Sequence, residues 1–400
     1  MRRVLTVCLT ATAMLSGCGG GGDTEPLARL ASVSTVTGIG ATTNFGFDLG
    51  TVLGNRYYFT DRTNASVDVF DTSTRQQVAQ IKPTGANAFA GSFADFSISG
   101  PAGINVVGNL LYVGDVNSVK ILDPATGTIT KTITVGNFGK RADEGCVDPV
   151  HHMYMISTPE APVPFATFID TVSQTVVATV TFNDPAGAPS AGLEECQYDA
   201  ATDSFYVNND GTTDNEHGEL NVLPGAAIRA IPSGGTVNFT DLAGAKMFSL
   251  GNCDPTGLAL GPGNDIAANC REATAGAPLL LQILDKKSGN ILASLNAGGG
   301  DQLVYDAASN RYYSAASRWT TSGKSSGASC TAAAPCSPML TMVDAGTRKI
   351  AAMVSSGNNA HSVAVDPATR QVFMPTSADA SPPGCSGCNI GTAGLLTFAL

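Results

Sequence analysis

Short runs of Val, Ile, Leu, Tyr and Phe recur along most of the chain, separated by clusters of Gly, Pro, Asn, Asp and Ser. The runs at 106–113, 153–156, 205–207, 279–284 and 363–365 have strand length and strand composition. Beyond the extreme N-terminus no stretch carries an apolar stripe at helical spacing, so the pattern predicts an all-β fold.

Two kinds of turn alternate between these runs. Pentapeptides starting at Asp71, Asp123, Asp170, Asp285 and Asp344 each follow one short apolar run and precede another. Pentapeptides starting at Asp148, Asp199, Asp306 and Asp366 lead into aromatic or apolar strands, as at Tyr312 and Tyr313 or at Val372 and Phe373. An Asp at the first turn position accepts hydrogen bonds from backbone N–H groups just ahead, so both families read as hairpin connections. Turns of one kind recur roughly every 45 to 60 residues, the period of a four-stranded propeller blade. Innermost strands are expected to start near Phe47, Gly103, Glu144, Glu195, Thr256, Gln302 and Ser362, which makes seven units. The last unit offers strands at 361–366, 371–375 and 394–400 and then the chain stops, while residues 31–38, with Val33 and Val36, are available ahead of the first unit. Pairing that N-terminal strand with the last blade would close the ring and remove an exposed edge. The expectation is a single seven-bladed β-propeller domain over 31–400, with four-stranded blades.

The N-terminus has another character. Arg2 and Arg3 precede an apolar run over 4–15, then Ser16, Gly17 and Cys18. A basic start, an apolar run too short to span a bilayer and small residues before a cleavage point read as a signal peptide over 1–17. Leu15, Ser16, Gly17 and Cys18 together resemble the bacterial lipoprotein box, which implies that Cys18 is lipidated and that 18–30, with Gly19 to Gly22, is a flexible tether. An ordinary cleaved signal with Cys18 merely nearby is the alternative. Gly19 after the cysteine resembles lipoproteins sorted to the outer membrane, on its periplasmic or surface face. The net charge of −11 and the 14% charged fraction exclude a nucleic-acid partner, whose phosphates need a basic surface.

Segments 111–115, 121–127 and 363–367 resemble bacterial YVTN-type propellers, a family of periplasmic and surface proteins that is also similar to lactonase and quinoprotein propellers. The resemblance covers nearly all of the mature chain and implies the fold, which hosts many unrelated activities. Eight cysteines, Cys146, Cys196, Cys253, Cys270, Cys330, Cys336, Cys385 and Cys388, accompany Cys8 and Cys18. An even set in an exported chain favours disulfides. Cys146 with Cys196 would link blades three and four, Cys253 with Cys270 would staple one hairpin, and Cys330 with Cys336 and Cys385 with Cys388 would close small loops. The spacing of Cys385 and Cys388 is also that of redox motifs, but it lies in a Pro/Gly loop where no helix start lowers a thiol pKa.

Residues just before each innermost strand line one mouth of a propeller's channel. Asp143, Glu144, Glu194, Glu195, Asp254, Thr256, Asp301, Gln302 and His361 occupy matching places in different blades. Convergent carboxylates repel unless a cation, a positively charged ligand or shared protons offset them. Oxygen ligands suit Ca²⁺ or Mg²⁺, and His361 would also admit a transition metal. The alternative is that the acids cap inner-strand N–H groups and face water. His151 and His152 fall in a hairpin turn, and His217 lies beside Asp210, Asp214 and Glu216 without an EF-hand pattern. Trp319 and Arg318 head an insertion over 322–338 and could anchor recognition or pack over a blade. No nucleophile elbow, zinc-protease motif, phosphate loop or haem-attachment motif is present. The reading is a monomeric binding or scaffold propeller for a small molecule or an envelope protein, with a metal-dependent lactone or ester hydrolase as the alternative.

Overall fold

The computed structural model describes residues 27–271, 274–327, 335–378 and 390–400. The expected signal peptide, Cys18, most of the tether, and Cys330, Cys385 and Cys388 lie outside the described residues.

Seven antiparallel blades form the ring. Blade one pairs Phe47–Leu53, Arg56–Asp61, Ser66–Asp71 and Gln77–Ile81 in chain order. Blades two to six start at the innermost strands Ile104–Val107, Gly145–Asp148, Leu193–Asp199, Pro255–Leu260 and Leu303–Asp306. Blade seven runs Ala364–Asp366, Gln371–Thr376, Gly394–Ala399 and then Arg29–Ser34. Each innermost strand touches the innermost strands of the blades before and after it, so the ring is closed. The closing strand pairs Arg29 with Ala399 and Val33 with Leu396. It lies slightly ahead of the expected 31–38 because Val36 leaves the sheet and is buried among Phe45, Phe47 and Phe373.

Blade three carries a fifth strand, Gly235–Asn238, parallel to Thr175–Thr181. It comes from an insertion in blade four that includes the short helix Gly225–Arg229. The insertion covers an edge that would otherwise offer unpaired N–H and C=O groups.

Side chains alternate across each strand, so every blade buries two faces, one against each neighbour. Tyr57 and Phe59 face blade seven, where Tyr57 stacks on Phe373 with centroids 5.0 Å apart, while Tyr58 joins Leu111 and Val113 at the seam with blade two. Tyr112 points the other way and meets Tyr154 at 5.0 Å across the seam between blades two and three. Such aromatic pairs add about 0.5–1.5 kcal/mol each to the area they bury. Cys146–Cys196 crosses the seam between blades three and four, and Cys253–Cys270 joins the lead-in of a strand to its own hairpin partner in blade five. Cys336 is also disulfide-bonded. Among the described residues no helix is long and apolar enough to cross a membrane.

Candidate functional site at the axial mouth

Innermost strands run nearly side by side at the axis, and glycine permits that approach. A Cβ on Gly103 would lie 2.1 Å from the Asp143 carbonyl oxygen, and one on Gly257 would lie 1.9 Å from that of Asp301. The Gly103 N–H instead donates to the Asp143 carbonyl at 2.9 Å. These contacts set the backbone from which Asp143, Glu144 and Asp301 project.

A cavity of about 530 Å³ opens at this end of the axis, lined by Asp143, Glu144, Glu194, Thr256, Asp301 and His361 from the sequence-derived set. Glu144, Glu194 and Asp301 each place a carboxylate oxygen within 4.8 Å of the other two. Glu144 is 4% exposed, and its Oε2 is buried without a hydrogen-bond partner. Burial first, then the charges of Glu194, Glu195, Asp143 and Asp301, push the Glu144 carboxyl well above the usual range. Burial and then Asp210 push Glu194 up as well.

Glu195 and Gln302 lie elsewhere. Glu194 and Glu195 fall where the pairing with Ser204–Asn209 shifts register, and beside Glu194 in the mouth Glu195 faces the seams. Its Oε2 accepts from the N–H groups of Leu258 at 2.8 Å and Leu303 at 3.3 Å, tying blade four to blades five and six. Burial nevertheless pushes this carboxyl up to about 8. Gln302 accepts from Ser362 Oγ at 2.8 Å and the Val363 N–H at 2.9 Å, and donates to the Gly50 carbonyl at 3.1 Å. It joins blade six to blades seven and one. Asp254 is outside the cavity wall and stands 3.7 Å from His217 Nδ1. His361 is set apart from the carboxylate triad: its ring stacks on Phe47 at 4.7 Å and its Nδ1 donates to the Asn359 carbonyl at 2.7 Å. The triad is therefore an all-oxygen donor set, the kind that suits Ca²⁺ or Mg²⁺ rather than a transition metal.

Arginines complete the mouth; sequence reasoning singled out Arg318 beside Trp319 but missed Arg62, Arg141 and Arg271. Arg62, Arg271 and Arg318, with Glu160 and Asp210, follow the second strand of their blades by one or two residues, which brings them to the same rim as the innermost-strand starts. That offset from each strand end was the available signal. Arg141 binds Asp143 at 2.7 Å and Glu160 at 2.8 Å, and lies 3.8 Å from Asp48. Asp48 also pairs with Arg62. Burial raises the Asp48 carboxyl, but Arg62, His361 and Arg141 outweigh it and hold the group at about 2. Asp143 shares its guanidinium with two other acids, so burial prevails and lifts it to about 8. Arg271 lies 3.4 Å from Glu194 and 3.5 Å from Asp210. Asp210 is pushed up by burial, opposed by Arg271, and comes to about 6.

A second group, Asp148, His151 and Asp203, also brings three ligand-type atoms together. There Asp148 accepts from the His151 N–H, and Arg229 holds Asp203 at 2.6 Å and lies 3.9 Å from Asp148, so the cluster is a pin between blade three and blade four with its insertion. His217 gathers no acidic trio with Asp214 and Glu216.

No protein-family model matches the chain, and no curated protein matches it. Solved structures share its fold. A chain of hydrazine synthase from Kuenenia stuttgartiensis is similar over 86% of this chain and 96% of its own, with a TM-score of 0.60 and 15% identity. A chain of a mitotic checkpoint complex is similar over 100% of this chain and 98% of its own, with a TM-score of 0.59 and 12% identity. The class is a seven-bladed β-propeller, and at these identities the likeness extends to the fold alone.

Proposed function

We propose that the protein is a binding propeller of the cell envelope whose axial mouth holds a divalent cation, Ca²⁺ or Mg²⁺, on Glu144, Glu194 and Asp301. The observation that carries this reading is Glu144 Oε2: a buried carboxylate oxygen without a partner, within reach of two further carboxylates. A buried carboxyl oxygen without a partner is costly, and a hard cation would displace the proton and supply that partner. The cation would orient and bind a ligand's oxygen atoms, and the arginines around the triad keep the mouth from being uniformly negative.

Isothermal titration calorimetry of the mature protein with Ca²⁺ and Mg²⁺ tests this. Single-site binding is expected for the wild type and a loss of at least about 100-fold for Glu144→Gln, which keeps the shape and removes the charge. Wild-type protein without affinity for either ion would refute the reading.

The YVTN-type resemblance and the lipoprotein box at Cys18 support a propeller held on a membrane, most simply the outer membrane, by a lipid and a glycine tether. Labelled palmitate should enter the wild type and not Cys18→Ser; equal labelling would remove the anchor from the proposal. One observation favours a hydrolase as the second reading. Asp210, in the mouth and at about 6, is poised to exchange a proton near neutral pH. Cation-dependent lactone turnover lost in Asp210→Asn would establish it.

A further inference from the structure

Hydrogen bonds fasten several neighbouring blades close to the mouth. The Gly103 N–H donates to the Asp143 carbonyl between blades two and three. Glu195 holds blade four to blades five and six, Thr256 Oγ1 donates to the Gly300 carbonyl at 2.7 Å between five and six, and Gln302 holds six to seven. The seam between blades three and four differs. Among the described residues no hydrogen bond joins residues 143–146 to residues 193–196, and these blades meet through a polar contact at the opposite face, where the Tyr198 hydroxyl lies 3.3 Å from His151 Nδ1.

At the mouth the Cys146–Cys196 disulfide stands where a hydrogen bond would. Cys146 follows Glu144 by two residues and Cys196 follows Glu194 by two, so the bridge joins the segments that carry two members of the carboxylate triad. Both cysteines are buried in the core of this seam with Met155, Phe168 and Phe205, outside the cavity wall. The sheet gives little support here, because the pairing of Leu193–Asp199 with Ser204–Asn209 shifts register between Leu193 and Cys196. Ionised Glu144 and Glu194, with carboxylate oxygens within 4.8 Å, repel each other. Without a crosslink that repulsion is relieved when the two segments drift apart along the seam, which widens the triad and loosens its hold on an ion. The bridge forbids that movement and leaves the carboxylates pre-organised.

Resting on the cation reading above, we propose that the Cys146–Cys196 disulfide is a positioning device for the cation site, holding Glu144 and Glu194 at the spacing the ion requires. Linkage makes the effect reciprocal: a bridge that tightens cation binding is favoured by the bound cation by the same factor.

Titration calorimetry of the mature Cys146→Ala/Cys196→Ala protein with Ca²⁺ and Mg²⁺ tests this. Affinity for the ion that the wild type binds should fall by about tenfold or more, while Cys253→Ala/Cys270→Ala, which loses a bridge inside one blade, should stay within about twofold. A second measurement uses the wild type and does not depend on either variant folding. In dithiothreitol buffer each bridge opens by taking two electrons and two protons from the reductant, which closes to its own cyclic disulfide. Alkylation and mass spectrometry then read the two bridges separately. Saturating cation should shift Cys146–Cys196 towards the disulfide by about tenfold or more and leave Cys253–Cys270 within about twofold. Unchanged affinity in the Cys146→Ala/Cys196→Ala protein, or an equal shift of both bridges, would overturn the proposal and leave the cation site standing. Wild-type protein that binds neither ion would overturn both.

Discussion

At nine hairpin turns the same residue-level device recurs. The Asp that opens each pentapeptide accepts from N–H groups two or three residues on, as Asp71 does from Ser73 at 3.0 Å and Thr74 at 2.8 Å. The fifth residue then adopts a positive φ: Arg75 at 63°, Gly127 at 67°, His152 at 57°, Gln174 at 55° and Arg348 at 52° are examples. Only Gly127 and Gly289 of the nine are glycine; the others accept the steric cost of a left-handed residue, about 1 kcal/mol. His152 is exposed. His152→Gly is therefore expected to raise the unfolding free energy by up to about 1 kcal/mol in urea titration. An unchanged or lower midpoint would show that the His152 side chain contributes more than its backbone costs. At these lead-ins Glu194 and Asp301 line the mouth while their neighbours Glu195 and Gln302 turn into the seams. The pairs at 194–195 and 301–302 were legible in the sequence, but which member reaches the mouth was not.

Blades behave as elements through their seams. Among the described residues seven hydrophobic clusters form, each built mainly from two adjacent blades, and one of them joins the last blade to the first. Polar clasps lie where these seams approach the axis. Gln302 alone meets a hydroxyl and an N–H of the blade-seven lead-in and a carbonyl of blade one. Gln302→Ala leaves buried groups unsatisfied and should cost about 2–4 kcal/mol in denaturant unfolding, with Ca²⁺ affinity within about twofold of wild type. A large loss of affinity without loss of stability would return Gln302 to the site. The hairpins and their period were readable from the chain because each is local. The fifth strand of blade three was not, since Gly235–Asn238 is a short segment whose pairing with Thr175–Thr181 spans a long sequence separation.

For the whole molecule, the buried acids dictate a pH response. Asp143 and Glu195 at about 8, Asp68 at about 9, and the raised Glu144 and Glu194 all hold protons in the folded state that the unfolded chain has released. Between about pH 4 and pH 9 the folded state thus binds more protons, and stability falls as pH rises. Asp48, held at about 2, acts in the opposite sense: its contribution is present above pH 4 and is lost as pH falls towards 2. Thermal melts without divalent ions should accordingly show a midpoint that declines from about pH 5 to pH 9. Ca²⁺ binds the deprotonated carboxylates, so its affinity should rise over the same range and flatten that decline. A midpoint that climbs towards pH 9 in chelator would contradict the burial of these carboxyls.

What the linear chain carried was local and periodic: strand alternation, Asp-led turns, the blade repeat and the strand left over to close the ring. Each rests on contacts between near neighbours or on a count of repeats, and both survive in one dimension. The mouth does not. Its triad comes from blades three, four and six, its arginines from blades one, five and six and from the loop before blade three, and its aromatic rim from the loop between blades one and two. Charges in a low-dielectric cavity are valued by distance and burial. Closure of the ring alone sets those quantities, and with them which acids share a cation and which serve the seams.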